Sequence, residues 1–335
     1  MIMIYGANGY SGQLIVEEAL RRGLRPMLAG RGDGVLAMAE RLGLKVRRFS
    51  LEAPDLKGVT VLLNAAGPFS VTGPALATAA IAAGAAYLDL AGEYPEHAAL
   101  ADLSDPAERA GVMLLPGVGF GVVPTDCAAV LAAQGLGAIR RLVIAYETRG
   151  GASRGTLETV LPALHIPGVA RRAGGAVSSR GGERSLVLRD GRRRVTVVTN
   201  PWRADQVSAV RSVSAADIET YATFPGAARL LMRIGGGALG GVLRKLALAG
   251  ASAGPDAKAR ARGGTTVWAE AYGERGARRV VLRGPDAYDF TARTAVECAR
   301  LALAGAPAGL QTPATAFGPD LVRAIEGVTL ETQDP

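Results

Sequence analysis

The sequence predicts an α/β protein of two domains, the first built on a doubly wound parallel sheet. A glycine-rich turn joins an apolar strand to a helix within the first 20 residues. Strands and helices then alternate up to about residue 116, which is typical of a parallel sheet with helices on both faces. Beyond residue 121, strands follow one another with few helices between them, which favours a mixed or antiparallel sheet. We therefore predict a Rossmann-type domain over residues 1–121, rejoined by the segment of about 291–335, and an α+β domain over residues 122–290.

The glycine-rich turn lies at the start of the chain. An apolar strand from Ile2 to Tyr5 runs into G-A-N-G-Y-S-G and then into a helix. Glycines allow the backbone to approach a diphosphate, and the N–H groups and dipole at the start of the helix attract its charge. The G-x-x-G-x-x-G spacing is looser than the G-x-G-x-x-G fingerprint, so a purely structural turn is an equally good interpretation of the glycines alone. The candidate cofactor-binding residues in this turn are Gly6, Asn8, Gly9, Tyr10, Ser11 and Gly12.

The second predicted strand ends in Gly30-Arg31. In a mononucleotide-binding unit this place meets the adenosine ribose, where an Asp or Glu accepts a hydrogen bond from the 2′-hydroxyl of NAD. An arginine can instead hold a 2′-phosphate through two hydrogen bonds. Arg31 therefore predicts NADP(H) as the cofactor, against the alternative that it is an ordinary surface arginine.

Two further turns follow strands of the same predicted sheet. The apolar strand of residues 59–64 ends in the turn N-A-A-G-P-F, whose small residues let a cofactor lie close to the backbone. The strand of residues 86–90 is followed by A-G-E. Ligands of doubly wound folds bind beyond the carboxyl ends of the strands, so we expect both turns near the nicotinamide. The candidate cofactor-binding residues in the first of these turns are Asn64, Ala65, Gly67, Pro68 and Phe69.

In the second domain the sequence predicts mainly strands. The exception of most interest is a glycine-rich helix over about 225–248, which carries several basic residues. Basic amphipathic helices bind anionic lipid, but packing in a core or at a subunit interface is favoured because the glycines would fray a free interfacial helix. The predicted strands cover residues 139–148, 184–190, 193–199, 207–213, 264–273 and 277–283, and other helices cover about 153–165 and 291–304.

The composition limits the function classes. Two cysteines and two histidines cannot assemble an ordinary metal site, and reduced thiols are typical of a cytoplasmic protein. No basic leader precedes the first strand and no apolar run reaches membrane-spanning length, so we expect neither a signal peptide nor an integral membrane segment. None of the eight tyrosines has a lysine four positions later, which excludes the short-chain reductase mechanism.

The net charge of +8 comes from 38 basic residues, nearly all of them arginines. They are scattered except for R-D-G-R-R-R at 189–194, where Asp-Gly predicts the tip of a basic hairpin. A solvated turn is favoured over a nucleic-acid contact, since no nucleic-acid-binding motif accompanies it. We therefore expect no nucleic-acid partner, while the positive field is suited to attract an anionic cofactor or substrate.

The chain resembles the saccharopine dehydrogenase-like NADP-binding oxidoreductases, including the mycobacterial trans-acting enoyl reductases, over nearly its whole length. The N-terminal marks are the glycine turn, L-A-G-R at 28–31, the N-A-A-G-P-F turn and Y-L-D-L-A-G-E at 87–93. The C-terminal marks are R-A-R at 260–262, V-W-A-E at 267–270 and L-Q-T-P-A-T-A-F-G at 310–318, the last being the most specific. The resemblance implies a nucleotide domain and a substrate domain that also forms the contacts of a homodimer.

One departure from the family pattern affects the expected reaction. The family usually has an aspartate in a Gly-Phe-Asp turn, where this chain has Gly119-Phe120-Gly121, with Asp126 still present downstream. If that aspartate shapes the substrate pocket, the substrate differs from that of the relatives or catalysis is impaired. The family includes imine and enoyl substrates, so the resemblance predicts the cofactor better than the reaction.

Hydride transfer needs a group that donates a proton or orients the substrate, and carboxylates at the strand ends are the candidates. Burial in a cleft raises the pKa of a carboxyl group, which favours proton donation near neutrality. We predict Glu93, Asp89 and Asp126 as catalytic residues. Helix capping is an equally good interpretation for Glu93 and the favoured one for Asp89 and Asp126.

The leading functional hypothesis is therefore an NADPH-dependent reductase of a C=N, C=C or C=O bond in a small or lipid-like metabolite. The competing hypothesis is a catalytically silent NADP(H) sensor or scaffold, which Gly121 motivates.

Overall fold

The computed structural model describes residues 1–234, 241, 245, 248–250 and 252–333. The chain forms two compact units. The first comprises Met1–Val123 and Tyr288–Glu326, and the second comprises Pro124–Ala287 and Gly327–Pro335. Each unit has its own sheet and its own hydrophobic core.

The first unit is built on a seven-stranded sheet. Its strands are β1 (Ile2–Tyr5), β2 (Met27–Gly30), β3 (Val46–Arg48), β4 (Val61–Asn64), β5 (Ala86–Asp89), β6 (Met113–Leu115) and β15 (Gly309–Leu310). They stand in the order β15-β6-β5-β4-β1-β2-β3, and every neighbouring pair is parallel. Strands β1, β2 and β4 are completely buried, as a parallel sheet covered on both faces requires. The predicted doubly wound sheet is confirmed.

The helices of the first unit connect these strands and complete its core. They are α1 (Tyr10–Arg21), α2 (Asp33–Leu42), α3 (Phe69–Ala83), α4 (Tyr94–Ala101), α5 (Ser104–Arg109), α11 (Ala287–Leu303), α12 (Pro313–Phe317) and a 3₁₀ helix, Pro319–Ala324. An ion pair of 2.8 Å between Arg22 and Glu297 joins α1 to α11. The C-terminal segment is thus tied to the first helix of the chain.

The second unit is built on a mixed sheet of nine strands. These are β7 (Ile139–Arg149), β8 (Gly168–Arg172), β9 (Gly175–Ser179), β10 (Ser185–Asp190), β11 (Arg193–Thr199), β12 (Asp217–Ala222), β13 (Gly264–Gly273), β14 (Gly276–Gly284) and β16 (Thr329–Gln333). The main path is β10-β11-β12-β7-β13-β14-β16, with β8 paired to β12 and β9. Only β12 and β7 pair in parallel among these described strands. The predicted mixed sheet is confirmed, as is the hairpin tip between Asp190 and Arg193.

The described helices of the second unit have between six and eleven residues. They are α6 (Val123–Ala133), α7 (Arg154–Ala163), α8 (Asp205–Ser212), α9 (Gly226–Ile234) and α10 (Ala257–Arg262). Helix α9 forms the first part of the predicted helix over 225–248, and much of the remainder of that prediction lies outside the described residues. Within the described residues, no helix has the length and apolar character needed to span a bilayer.

The predicted strand over residues 207–213 is wrong, because this segment belongs to helix α8. Its alternating V-S-A-V-R-S-V pattern is typical of a strand, but the buried residues Asp205, Ser208 and Ala209 recur at helical spacing. Two of these three are polar, so an apolar pattern does not reveal the buried face. The strand in this part of the chain is β12, which follows the helix.

The last residues of the chain differ from the predicted return of segment 291–335 to the first domain. Strand β16 pairs antiparallel with β14, from Thr329 opposite Arg283 to Gln333 opposite Arg279. An ion pair of 3.0 Å between Arg283 and Glu331 supports this pairing. The C-terminal strand thus extends the second sheet.

Candidate functional site

The predicted cofactor residues lie in turns that leave one edge of the first sheet, which we call the carboxyl edge. It is the edge where β1, β2, β4 and β5 end, at Tyr5, Gly30, Asn64 and Asp89. Tyr5 stands opposite Ala29 on one side and Asn64 on the other, and Asn64 stands opposite Asp89. Because these strands end at nearly the same level, the structure brings together the turns that follow them.

Two of the three glycines in the opening turn are required by packing within the chain. Gly6 has a φ of +80°, and a Cβ there would lie 2.7 Å from the Cβ of Ala66. A Cβ on Gly12 would overlap the carbonyl oxygen of Gly6. Both positions therefore need glycine whether or not a ligand binds.

Gly9 is less constrained than Gly6 and Gly12, because its backbone conformation is an ordinary one. Its φ is −72°, which any residue adopts. A Cβ on Gly9 would meet one atom, the carbonyl oxygen of Gly6, at 3.3 Å, which is tighter than ordinary van der Waals contact, and the residue is exposed. The missing side chain thus leaves space on the outer side of the turn. In dinucleotide-binding turns the second glycine serves the close approach of a diphosphate.

Helix α1 begins directly after Gly9, which is its N-cap residue and has no side chain to accept from the first-turn amides. The Gln13 side chain stabilises the glycine-rich turn, since it donates a 2.8 Å hydrogen bond to the Asn8 carbonyl oxygen. Tyr10 and Ser11 form the first turn of the helix. The positive end of the helix dipole suits this turn to an anionic group.

The turn after β2 carries an exposed cation. Arg31 is exposed and makes no ion pair with any residue that the structure describes. The Asn8 side chain packs against the same turn, where a Cβ on Gly34 would lie 3.0 Å from its amide nitrogen. Nearby, Arg48 donates a 2.5 Å hydrogen bond to Asp33 at the start of α2. This pairing offsets the one acidic charge in the first turn of α2.

The turn after β4 is exposed at its tip. Gly67 and Pro68 are exposed, and Ala65 and Phe69 are half-buried. Pro68 is the N-cap residue of α3, which begins at Phe69. These residues offer a ligand small side chains, backbone and one aromatic ring.

Asn64 itself faces inward and holds this turn in place. Its side chain is completely buried, and its Nδ2 donates to the hydroxyl oxygens of Thr72 (3.0 Å) and Tyr87 (3.1 Å). Its Oδ1 accepts from the backbone amide of Ala66 at 3.0 Å. Thr72 in turn donates to the Ala66 carbonyl oxygen at 2.6 Å. Asn64 therefore contributes to the edge by fixing the backbone after β4.

Asp89 is the centre of the same network. It is completely buried, and its Oδ1 accepts from the backbone amides of Ala91 (2.9 Å) and Gly117 (3.0 Å). Its Oδ2 accepts from the Tyr87 hydroxyl at 2.9 Å. Burial raises the pKa of Asp89 to about 6, against the lowering effect of these three donors. With both oxygens engaged, Asp89 ties together the turns after β5 and β6.

Sequence reasoning missed Tyr87 and Thr72, which complete the network. Tyr87 stands two residues before Asp89 on β5, so both side chains lie on one face of the sheet. The period-two spacing of a tyrosine and an aspartate in a buried strand is the signal that points to their contact.

Glu93 lies closer to the surface than Asp89. It is half-buried at the start of α4, and its Oε2 accepts from the Gly92 amide at 2.8 Å rather than capping the helix. One turn later, burial raises the pKa of Glu96, helped by the charges of Glu93 and Asp89. Glu96 was not among the predicted residues, and it adds a third carboxyl group to this region.

Asp126 lies in the second unit, in the first turn of α6, and is completely buried. The predicted catalytic carboxylates are therefore divided, with Asp89 and Glu93 in the first unit.

Helix α11 contributes aromatic contacts that the sequence did not reveal. The ring of Tyr288 meets that of Tyr10 edge-on, with centroids 5.0 Å apart. Phe290 meets Phe120 in the same manner at 5.8 Å, and the Phe120 amide donates to the Thr291 hydroxyl at 3.0 Å. Helix α11 thus contacts both the start of α1, next to the glycine turn, and the turn after β6.

Comparison with known proteins finds relatives that are named oxidoreductases. No protein-family model matches the chain. It is 28% identical over 152 residues to the saccharopine dehydrogenase-like oxidoreductase of Homo sapiens, covering 37% of this chain and 35% of that protein. It is 28% identical over 241 residues to a protein of Mycobacterium tuberculosis named as a trans-acting enoyl reductase, covering 62% of this chain and 58% of that protein. The chain is a homologue of these oxidoreductases.

The saccharopine dehydrogenase-like fold extends over the whole chain. The structure matches saccharopine dehydrogenase (L-Glu forming) of Saccharomyces cerevisiae with a TM-score of 0.64 and 12% identity, covering 99% of each chain. In sequence, the match covers less than two thirds of the length of either curated relative.

The structure places Gly121 in the turn after β6, next to the turn after β5. A Cβ at this position would lie 3.3 Å from the Cα of Gly92, which is tighter than ordinary van der Waals contact. The backbone after β5 therefore leaves little room for the aspartate of a Gly-Phe-Asp turn. Gly121 allows the two turns to approach each other.

Proposed function

We propose that the chain binds NADP(H) at the carboxyl edge and transfers a hydride to a C=N, C=C or C=O bond of a small or lipid-like metabolite. The observation that carries the proposal is the exposed position of Gly9 at the N-terminus of α1. Packing accounts for Gly6 and Gly12, whereas Gly9 has an ordinary backbone conformation and an exposed position. A diphosphate lying against the start of α1 accounts for the third glycine.

The residues of the carboxyl edge fit such a dinucleotide. The backbone of Gly9, Tyr10 and Ser11 would hold the diphosphate, and the guanidinium of Arg31 would hold the 2′-phosphate. The turn of Ala65, Gly67, Pro68 and Phe69 would lie against the nicotinamide half, its backbone fixed by Asn64. When bound, the cofactor supplies the hydride from its nicotinamide ring.

The names of the relatives support this chemistry. The human relative is named an oxidoreductase and the mycobacterial one an enoyl reductase. A metabolite with a polarised double bond is a substrate class that a nicotinamide cofactor reduces.

The carboxylates divide into two proposed roles. Glu93 is half-buried with one of its oxygens engaged by a backbone amide, so it is the better placed to move a proton. Asp89 is buried with both oxygens engaged, so it acts as a positioning residue for the turns after β5 and β6. Asp126 stays a candidate from the second unit.

A second candidate function, a silent NADP(H) sensor, is favoured by Gly121. The replaced aspartate belongs to the turn that meets Gly92, and its loss removes a carboxylate from this part of the first unit. NADPH oxidation over a panel of imines, enones and ketones separates the two functions. Tight NADPH binding without turnover of any of them supports the sensor.

The decisive variant for cofactor binding is Gly9→Ala. Its methyl group would occupy the space assigned to the diphosphate, so we expect NADPH affinity to fall by at least about tenfold, with only a small decrease in melting temperature from the contact with the Gly6 carbonyl oxygen. Gly226→Ala is the matched control, since a Cβ there meets nothing within 4 Å. Isothermal titration calorimetry gives the affinities. NADPH affinity of wild-type strength in Gly9→Ala contradicts the proposed site.

The family resemblance also implies a homodimer formed through the second unit and a cytoplasmic location, and both remain proposals. Sedimentation velocity at micromolar concentration tests the first.

A further inference from the structure

The hydroxyl group of Tyr5 has no role in the site as described so far. Tyr5 is the last residue of β1, and its side chain is 1% exposed. Its Oη is enclosed and makes no hydrogen bond to any residue that the structure describes. A buried hydroxyl without a partner costs folding free energy, so it indicates a partner from outside the chain.

The hydroxyl is not needed to hold the ring. The Tyr5 ring stacks on Phe49 with centroids 5.1 Å apart and planes at 25°. It also belongs to the core cluster that contains Met3, Ala29 and Leu62. A phenylalanine would make the same contacts, so packing does not explain why a tyrosine occupies this position.

The surroundings of the hydroxyl belong to the turns after β2 and β3. Burial raises the pKa of Tyr5, while the charge of Arg31 lowers it and that of Glu52 raises it. Arg31 directly follows β2, and Glu52 lies four residues after β3. The hydroxyl thus lies at the end of the carboxyl edge where the 2′-phosphate is assigned.

We infer that the Tyr5 hydroxyl binds the adenosine end of the dinucleotide, as a second recognition group beside Arg31. The inference rests on the proposed NADP(H) site. An adenine ring nitrogen or a ribose oxygen accepts a hydrogen bond from a phenolic hydroxyl, which satisfies the otherwise orphaned group. Because Oη is enclosed, binding requires neighbouring side chains to move. Glu52, whose charge acts on Tyr5, is exposed, so its side chain can shift without loss of buried packing.

The test uses Tyr5→Phe and separate halves of the cofactor. Calorimetric titrations with 2′,5′-ADP, nicotinamide mononucleotide and NADP⁺ are run on the wild type and the variant, together with thermal unfolding. We expect the variant to bind 2′,5′-ADP and NADP⁺ about tenfold more weakly, with unchanged affinity for nicotinamide mononucleotide. Its melting temperature should be equal to or above that of the wild type, since the variant lacks an unsatisfied buried group.

Tyr221→Phe is the matched control. The Tyr221 hydroxyl lies in the second unit and donates a 2.5 Å hydrogen bond to Glu219. Its loss should lower the melting temperature and leave the affinity for 2′,5′-ADP unchanged. Tyr5→Phe is thus expected to lower the affinity without lowering the melting temperature, and Tyr221→Phe to lower the melting temperature without lowering the affinity.

The outcomes separate this inference from the proposed cofactor site. Wild-type affinity of Tyr5→Phe for 2′,5′-ADP overturns the role of the hydroxyl and leaves the NADP(H) site standing. If Tyr5→Phe binds 2′,5′-ADP and nicotinamide mononucleotide equally more weakly and has a lower melting temperature, the role of the hydroxyl is also overturned, because that pattern reflects damage to the fold. A wild-type chain that binds neither NADP⁺ nor 2′,5′-ADP overturns both proposals.

Discussion

The carboxyl edge of the first unit holds a buried carboxylate and the hairpin end of the second sheet a half-buried one, and the two are stabilised in opposite ways. At the edge, Asp89 is surrounded by neutral donors, and burial raises its pKa to about 6. In the second unit, Asp190 accepts hydrogen bonds from Arg193 (2.9 Å) and Arg283 (2.7 Å). Burial acts to raise the pKa of Asp190 as well, but the two guanidinium groups outweigh it and lower the pKa.

The difference shows that the arginines of this chain serve two purposes. Several arginines of the second unit are held in ion pairs, such as Arg193, which donates two hydrogen bonds to Glu147. At the carboxyl edge, Arg31 makes no ion pair within the described part of the chain and is exposed. A high arginine content therefore does not by itself indicate an anionic macromolecular partner, whereas an unpaired arginine at a strand end suits a small anionic ligand.

Among the variants considered, replacement of the buried carboxylate of Asp89 should cause the largest loss of stability. Asp89→Ala leaves the Tyr87 hydroxyl and two backbone amides without an acceptor, so we expect a loss of about 4 kcal/mol of stability in the first unit. Hydrogen exchange should rise first in the turns after β5 and β6. Asp190→Ala leaves arginines that water can solvate, and should cost only about 1 kcal/mol.

The two losses can be read separately. Both tryptophans, Trp202 and Trp268, lie in the second unit, so their fluorescence during urea unfolding reports Asp190→Ala. Hydrogen exchange followed by mass spectrometry reports Asp89→Ala. Losses of equal size in the two variants would contradict the contrast between the units.

The second prediction concerns pH. The folded pKa of Asp89, about 6, lies above its ordinary value of 3.8. Its protonation therefore favours the folded state, with a contribution complete below about pH 4 and lost as the pH rises through 6, amounting to about 3 kcal/mol. The lowered pKa of Asp190 has the opposite sign, so its contribution is present above pH 4 and lost on acidification.

Carboxyl carbon-13 NMR titration measures both groups in one sample. We expect a midpoint near 6 for Asp89 and one below 3.8 for Asp190. A midpoint of Asp89 at or below 3.8 would show that the three donors outweigh its burial.

The third prediction sharpens the role of the unpaired arginine. Arg31→Ala should weaken NADPH by about 2 kcal/mol, or about 30-fold, because it removes a charged partner of the 2′-phosphate. NADH lacks that phosphate and should lose little affinity. Arg47→Ala is the control, since Asp55 already holds that guanidinium at 3.1 Å. Equal losses for the two cofactors in Arg31→Ala would place the arginine elsewhere.

The smallest effect is expected for a paired arginine of the second unit. Arg193 is 41% exposed, so solvent screens its ion pairs with Glu147 and Asp190. Arg193→Ala should cost about 1 kcal/mol or less in urea unfolding followed by tryptophan fluorescence, and less again at 1 M salt. A loss of stability as large as that of Asp89→Ala would contradict this prediction, because it would mean that the ion pairs of Arg193 stabilise the fold as much as the hydrogen bonds of Asp89 do.

The sequence predicted the first sheet and its edge because the signals are local. A buried strand, a glycine turn and a helix start can each be recognised within a dozen residues, and their alternation specifies the parallel order. The turns that follow β1, β2, β4 and β5 then share an edge by topology alone. Arg31 was placed in the same way, by its position after β2.

The inward roles of Asn64 and Asp89 could not be predicted, since they depend on register between strands. The side chain of Asn64 contacts Tyr87 only because β4 and β5 pair with Asn64 opposite Asp89. Nothing in either strand alone shows which polar residue faces a partner and which faces a ligand. The predicted catalytic roles of Asp89, Glu93 and Asp126 accordingly remain predictions.

Polar burial and long-range pairing explain the errors in the second unit. Helix α8 buries Asp205 and Ser208, so its helical period is hidden from a pattern of apolar residues. Strand β16 pairs with β14 across more than 40 residues of sequence. The short T-L-E-T-Q segment contains no local signal that predicts this pairing. Both errors concern how segments pack, and neither changes the carboxyl edge.

Titration of the wild-type chain with NADPH and NADH tests the proposed cofactor site most directly. We predict saturable binding of one NADPH per chain, at least about tenfold tighter than NADH. A chain that binds neither cofactor, or that binds NADH as tightly as NADPH, would contradict it.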